Sequence, residues 1–225
     1  LQGLHAAVVR KLDGDPLKEY RIQIELPWMD GKNKLLWARL STVYATNASG
    51  NFFLPEPDDE VVVGFMNEDP GHPIILGGVY GERHKPPYEY EAKNNTKAIV
   101  TREKMRIEFN EEKKMVKIST PGKNTVEISD DDKHIKLTDQ NKNEIVMNSS
   151  GISFSSAKDI TLKAKGAITM DATSKFSATA KQDVSLEGLN VNMQAKVSAA
   201  VKGNAKAELS ASGQTTVKGA MVMIN

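Results

Sequence analysis

The chain has 225 residues, no cysteine, and 30 Lys plus Arg against 29 Asp plus Glu, which gives a net charge of +1. This length accommodates one large or two modest domains. The balanced charge gives no electrostatic reason to expect nucleic-acid binding, and the lack of cysteine excludes disulfides and thiolate metal sites. No apolar run approaches the ~20 residues that span a bilayer, and no signal-peptide pattern opens the chain. A first residue of Leu rather than Met is expected of a processed chain or of the end of a longer one.

Residues 1–88 are predicted to form a small closed barrel. Short strand-like runs follow one another without a helical period, and turn residues such as Asp13-Gly-Asp-Pro16 separate them. Strands of this length and number are typical of the oligonucleotide/oligosaccharide-binding (OB) barrel. The predicted strands are His5–Arg10, Tyr20–Leu26, Leu35–Leu40, Glu60–Phe65 and Pro73–Gly77.

The same region carries motifs in a defined order. They are Pro27-Trp28, Trp37-Ala-Arg39, Gly50-Asn-Phe-Phe-Leu-Pro-Glu56, Asp59-Glu-Val-Val-Val63, Glu68-Asp69-Pro70, Pro73-Ile-Ile-Leu-Gly77 and Val79-Tyr80. Their order and spacing over residues 5–88 resemble the OB domain of VgrG-type spike proteins of type VI secretion and their phage tail spike relatives. Pro57-Asp58 departs from the glycine usual in that family, which puts the turn type in question but not the fold. The resemblance implies the C-terminal OB plus needle portion of such a protein.

Residues 89–97 are polar and without period, which indicates a linker. From residue 98 onward the pattern predicts a β-helical needle that is irregular to about residue 155, with small outward hairpins and with turns at Pro121-Gly122 and Asp139–Asn143. Its irregular part is predicted to contain the strands Met105–Phe109, Met115–Ile118, Val126–Ile128, His134–Leu137, Ile145–Met147 and Ile152–Phe154.

The last third of the chain alternates small or apolar residues with polar ones. Apolar residues occupy even positions from Ile160 to Leu186 and odd positions after Gly188, and the charged residues change parity with them. A period of two predicts extended strands, and the change of parity predicts a bulge or tight corner at Gly188. A further beat of eight residues indicates a β-solenoid or prism that continues to residue 225.

This part of the chain is predicted to be oligomeric. Many inward positions hold Ala or Gly, so a single chain buries little, and a lone ribbon leaves both its edges unpaired. The resemblance implies three chains. We therefore expect an all-β fold in which the OB-fold barrel is followed by an intertwined trimeric β-helix, a triangular β-prism needle. The predicted trimer core comprises Ile160, Leu162, Ile168, Met170, Phe176, Val184, Leu186, Leu189, Val191, Met193, Val197, Val201, Leu209 and Val217.

Residues that carry chemistry are sparse. His5, His72, His84 and His134 are scattered without metal-ligand spacing, and Asp130-Asp-Asp132 lacks the alternating oxygen ligands and glycine of a calcium loop. No nucleophile or phosphate-binding motif is present. We expect no catalytic residue, no cofactor and no metal site.

The predicted function is that of a structural cell-puncturing spike in a contractile phage-tail-like injection apparatus, such as a type VI secretion system. The resemblance implies a homotrimer that meets tail-tube, hub and baseplate components, effectors and, transiently, a target membrane. It also implies cytoplasmic assembly, then expulsion to the exterior or into a target cell, or a place in a virion-like particle. A PAAR-repeat tip protein is expected to dock on Met221, Val222, Met223 and Ile224, where the alternation ends in apolar residues. The alternative is an OB module that binds single-stranded nucleic acid or glycan on a trimerising fibre stalk.

Overall fold

The computed structural model describes residues 2–224, except for the side chains of Lys32 and Asn33. It divides into two compact units between Thr161 and Leu162. Two short 3-10 helices, Gly31–Lys34 and Met66–Glu68, accompany the strands. The strands are β1 (His5–Lys11), β2 (Ile22–Glu25), β3 (Leu35–Leu40), β4 (Ala45–Thr46), β5 (Ser49–Gly50), β6 (Glu60–Phe65), β7 (Pro73–Gly78), β8 (Thr96–Val100), β9 (Arg106–Asn110), β10 (Met115–Ser119), β11 (Thr125–Ser129), β12 (His134–Thr138), β13 (Glu144–Asn148) and β14 (Gly151–Ser155).

The first unit begins with a closed five-stranded barrel in the order β1-β2-β3-β7-β6, and β6 pairs with β1 to complete it. Neighbouring strands are antiparallel except β3 and β7, which are parallel. If only the five barrel strands are numbered in chain order, the fifth strand (β7) lies between the third (β3) and the fourth (β6). This Greek-key arrangement is the OB fold that the sequence predicts.

The barrel core follows from the alternation of its strands. β1 contributes Ala7 and Val9, β2 contributes Ile24, and β6 contributes Val61 and Val63, all with no exposed surface. Among the described residues, every apolar side chain that is fully buried belongs to the barrel or its immediate strand ends. The strands from β8 onward consequently have no buried core of their own in a single chain.

A second sheet follows the barrel within the same unit. Its seven strands, β8 to β14, lie in sequence order, and each pairs antiparallel with the next. Its contacts with residues 1–88 include a hydrogen bond that Tyr88 Oη donates to Glu108 Oε2 at 2.6 Å and an ion pair between Arg102 Nη1 and Glu56 Oε2 at 2.9 Å. The irregular spacing of the sequence predicts small hairpins here, and the structure joins them into one continuous sheet.

This sheet is built from a repeat of 19 residues. β8, β10 and β12 begin at residues 96, 115 and 134, and each repeat contains two strands joined by turns of unequal length. In the longer turns, 101–105, 120–124 and 139–143, the first residue donates its N–H to the carbonyl of the last. The fourth residue of each is a lysine with left-handed φ: 64° at Lys104, 67° at Lys123 and 68° at Lys142.

The second unit is an extended segment with bends at a regular spacing. Bends occupy residues 165–166, 173–174 and 181–182, and then 196–197, 204–205, 212–213 and 220–221. A further bend lies at residue 189 alone. Successive bends begin eight residues apart, except that the bend after residue 189 begins seven residues later, at residue 196. The shortened spacing next to Gly188 accounts for the change of parity. Within the described residues 162–224 no strand is assigned.

Candidate functional site

The candidate site is one face of the seven-stranded sheet, here called the apolar face. Direct pairing across the strands places these side chains opposite one another, for example Ile107 with Ile118 and Val126 with Leu137. Apart from Lys97, which stands opposite Phe109, the face carries only apolar side chains. Its members are Ile99, Ile107, Phe109, Val116, Ile118, Val126, Ile128, Ile135, Leu137, Ile145, Met147, Ile152 and Phe154.

The apolar face is uncovered in a single chain. Ile118 is 47% exposed and Phe154 is 66% exposed. Seven strands at ~4.8 Å spacing and five residues of ~3.3 Å each make a face of roughly 500 Å². Contiguous exposed apolar areas of this size usually mark an interaction surface, so the face is expected to be covered by another chain.

The opposite face of the sheet is mainly polar, although Ala98, Val100, Met115 and Val146 also lie on it, and several of its charged groups are paired. Lys117 Nζ lies 2.8 Å from Glu127 Oε2, His134 Nε2 lies 3.0 Å from Glu127 Oε1, and Lys136 Nζ lies 2.7 Å from Glu144 Oε1. The hydrogen bond from Lys117 lowers the pKa of Glu127, and that from Lys136 lowers the pKa of Glu144. A sheet with one apolar and one ion-paired face is suited to an assembly that buries the first and exposes the second.

Three side chains beside this network could in principle hold a metal ion. Glu127, Asp132 and His134 each offer a ligand atom, and these atoms lie within 4.8 Å of one another. Their present partners account for the arrangement, because Glu127 accepts from Lys117 and His134, and Asp132 Oδ2 accepts from Ser129 Oγ at 3.3 Å. An ammonium group bound to one of the three candidate ligands opposes a second cation.

The remaining histidines also have local partners. His72 Nδ1 lies 2.8 Å from Asp69 Oδ2, His84 Nδ1 lies 3.7 Å from Asp59 Oδ1, and His5 Nε2 lies 3.1 Å from the carbonyl oxygen of Gln2.

The predicted trimer-core residues between Ile160 and Val217 are all uncovered in one chain. Their exposure ranges from 53% at Ile168 to 100% at Leu189. The predicted tip residues, Met221 to Ile224, begin within the last bend at residues 220–221 and are 50% to 91% exposed. Which side chains point inward in an assembly, and whether the tip binds a partner, remain predictions.

The sequence analysis did not include the apolar face in the candidate site. The signal was present, because each strand from β9 to β14 carries two apolar residues separated by one other residue. Because the turns differ in length, the apolar residues have odd numbers in some strands and even numbers in others, so no constant period links one strand with the next. Only the observed pairing shows that they share a face.

Comparison with known proteins identifies both parts of the chain. Residues 5–80 match the model of the type VI secretion system/phage-baseplate injector OB domain, and residues 115–225 match the phage baseplate V C-terminal trimerisation domain. The fold and the apolar face thus define an all-β baseplate-type protein with an OB barrel and a trimerisation domain. The chain belongs to the family of VgrG-type spike proteins of contractile injection systems.

Several curated relatives are similar to this chain over about a third of its length or more. Type VI secretion system spike protein VgrG1a of Pseudomonas aeruginosa is 30% identical over 86 residues, which is 36% of this chain and 13% of the relative. VgrG4b of the same species is 30% identical over 105 residues, or 43% of this chain and 13% of the relative. Actin cross-linking toxin VgrG1 of Vibrio cholerae is 33% identical over 87 residues, or 37% of this chain and 8% of the relative. The matches thus span less than a seventh of these relatives' length.

No helix among the described residues has the length and apolarity needed to cross a membrane.

Proposed function

We propose that three copies of this chain form a rigid spike that pierces the envelope of a target cell. The observation that carries the proposal is the apolar face, which a single chain leaves exposed while its reverse side is ion-paired. The uncovered apolar residues from Ile160 to Val217 support the same conclusion for the rest of the needle.

Three copies suffice to cover all of this surface. The sheet is a narrow ribbon, about 34 Å along the strand order and about 17 Å across, so three ribbons can form the sides of a triangular prism with their apolar faces inward. Burial of each Val, Leu, Ile, Phe or Met side chain contributes about 1.5–3 kcal/mol, and the thirteen such residues of the apolar face make the assembly strongly favourable. The match to the phage baseplate V C-terminal trimerisation domain supports three as the number of copies.

The role we propose is mechanical, in keeping with a family of structural spike proteins. The barrel connects the spike with tail-tube, hub and baseplate components, and the far end carries a PAAR-repeat tip protein on Met221, Val222, Met223 and Ile224, with effectors attached to the spike. The assembly forms in the cytoplasm and is then expelled with its cargo by contraction of the apparatus.

A mass measurement in solution tests the assembly, together with one pair of variants. Light scattering should give three times the 24.7 kDa chain mass. Ile118→Glu places a carboxylate on the apolar face and should abolish the trimer, because a buried unpaired charge is costly. Ser119→Glu is the matched control, since it lies next in the same strand but on the polar face. A folded wild-type monomer, or equal behaviour of the two variants, contradicts the proposal.

Piercing and delivery require the whole apparatus. The full-length spike bearing Ile118→Glu should fail to support killing of target bacteria in a competition assay, whereas the Ser119→Glu spike should retain it. Normal killing with the first variant would show that the trimeric needle is not needed for delivery.

A further inference from the structure

The hairpin turns of the seven-stranded sheet lie in two rows, one along each side of the ribbon. Because successive strands are antiparallel, turns 101–105, 120–124 and 139–143 share one side, and turns 111–114, 130–133 and 149–150 share the other. Consecutive turns on one side touch: the N–H of Gln140 donates to Asn124 Oδ1, and the N–H of Asp130 donates to the carbonyl of Lys114. The two rows are separated by the ~17 Å length of a five-residue strand.

The two rows have opposite charge. The first has four cations against two anions, and the second has five anions against three cations. We call the three lysines of the longer turns the lysine row, and we call the acidic side chains of the shorter turns the acidic row. The lysine row is Lys104, Lys123 and Lys142, and the acidic row is Glu111, Glu112, Asp130, Asp131 and Asp132.

The lysine row is unpaired within the chain. None of its three ammonium groups forms an ion pair with a described residue, although ion pairs occur beside them, as at Arg102 and Glu56. In the acidic row, Glu111, Glu112 and Asp131 have cations at 3.5 Å, 3.3 Å and 3.9 Å, and all three pairs are exposed. Asp130 and Asp132 form no ion pair with a described residue.

Lysine at these turn positions is unexpected on backbone grounds. A φ near +65° favours Gly or Asn, and other residues adopt it less readily. Lysine nevertheless holds this position in all three copies of the longer turn, and Lys114 and Lys133 are also left-handed in two of the shorter turns. The three lysines of the longer turns differ from Lys114 in that they have no ion-pair partner among the described residues.

A threefold arrangement brings the two rows together. Rotation about an axis parallel to the ribbon places the lysine side of one chain beside the acidic side of the next, all around the ring. Rotation about this axis does not change the position of a residue along it. Measured along the axis, turn 120–124 lies one strand spacing, ~4.8 Å, from turn 111–114 and from turn 130–133. Lys123 of one chain is then level with the space between the two acidic turns of its neighbour.

We propose that the lysine row of each protomer docks on the acidic row of the next, so that these corner contacts select a second copy of the same chain, parallel and in register. This rests on the proposed trimer and adds to it, since the apolar face alone does not define register or direction. An antiparallel neighbour would place like rows together, with repulsion at each level.

Disulfide trapping tests the register directly, because the chain has no cysteine. Lys123→Cys with Asp131→Cys should give covalent dimers and trimers on oxidation of the trimer, because the two positions are one strand spacing apart on adjoining chains. Lys123→Cys with Glu112→Cys is a second pair with the same expectation. The control is Lys104→Cys with Asp131→Cys, three strand spacings or ~14 Å apart, beyond the 4.4–6.8 Å between Cα atoms that a disulfide allows.

The possible outcomes separate the two proposals. Cross-linking of the two test pairs but not of the control supports the docking. A trimer in which neither test pair cross-links, or in which the control cross-links as well, overturns the docking and leaves the trimer intact. A monomeric wild-type chain overturns the proposed function itself.

A second experiment asks whether the charges contribute. Changing Lys104, Lys123 and Lys142 together to Asn suits the left-handed backbone better and removes three cations. The docking predicts that the trimer dissociates at a lower urea concentration than wild type, and that the difference shrinks in 1 M salt, where the screening length is ~3 Å. A higher urea midpoint would show that only the backbone preference matters and would overturn the charge-based docking.

Discussion

The carboxylate of Asp15 organises the connection between β1 and β2. It accepts hydrogen bonds from the backbone N–H of Leu17 at 3.1 Å, of Glu19 at 2.8 Å and of Arg21 at 3.2 Å, and it pairs with Arg21 Nη2 at 2.7 Å. The bond from Arg21 lowers the pKa of Asp15 well below its usual range. Two left-handed residues follow Asp15 in the same connection, and these bonds hold the backbone in that conformation.

Asp15→Asn is expected to lower the melting temperature of the barrel, because Asn replaces the ion pair and leaves one acceptor where there were two. A carboxyl group with a lowered pKa stabilises the fold fully above its unfolded pKa of about 3.9 and progressively less as the pH falls through the lowered value. The difference in melting temperature should therefore be largest near pH 7 and should shrink below about pH 4. Asp13→Asn, at an exposed position of the same loop, is the control. A constant difference down to pH 2 would show that the charge of Asp15 is not the cause.

At the scale of elements, cross-strand pairs on the polar face stabilise the sheet. Lys117 and Glu127 stand directly opposite each other on β10 and β11. Exposed or half-exposed pairs of this kind contribute about 0.2–1 kcal/mol.

A double-mutant cycle measures this contribution. Lys117→Gln, Glu127→Gln and the double variant should show a coupling energy of about 0.2–1 kcal/mol per chain in urea unfolding, reduced by added salt. Glu127→Gln alone should cost more than Lys117→Gln, since it also removes the acceptor of His134. Strictly additive effects would mean that the observed pair adds nothing to stability.

The parity of the octad segment leads to a further prediction. Val197 and Val201 belong to the set that we predict to point inward after residue 188, and Thr216 belongs to the opposite set. Asp at either valine should prevent assembly, because three unpaired carboxylates would meet near the axis at a cost of several kcal/mol. Thr216→Asp should leave the trimer unchanged by light scattering. Equal tolerance at Val197 and Thr216 would contradict the assigned register.

Most strands could be predicted from the sequence because their apolar residues alternate within each strand. The five barrel strands and β9 to β14 all lie within about two residues of the predicted runs. β8 was missed because it begins in the polar linker and because Lys97 occupies a position on the apolar face. The apolar face itself needed the pairing register, since a repeat of two strands with unequal turns has no constant period at the level of single strands.

At the scale of the whole molecule, the chain contains two solutions to the problem of burying apolar surface. The barrel closes on itself and shields residues such as Ile24, Leu26 and Ile75 completely within one chain. From β8 onward, no apolar side chain among the described residues is buried, although many are large. Stability there depends on other copies, so it should vary with protein concentration while that of the barrel should not.

Residues 221–224 depart from the alternation of the preceding octads. Met221 and Met223 continue the inward set, which leaves Val222 and Ile224 at positions that upstream hold Lys or Glu, and in one chain they are 50% and 91% exposed. Three copies would present an apolar end suited to a cone-shaped PAAR-repeat protein, and this docking is our prediction.

Changing Val222 and Ile224 together to Lys should abolish co-purification of a cognate PAAR protein while the trimer keeps its mass and melting temperature. Gln214→Lys with Thr216→Lys, one octad upstream and in the same outward set, is the matched control and should not affect binding. Undiminished binding by the tip variant would exclude these residues from the docking surface, whereas loss of the trimer itself would mean that they close the needle's own core.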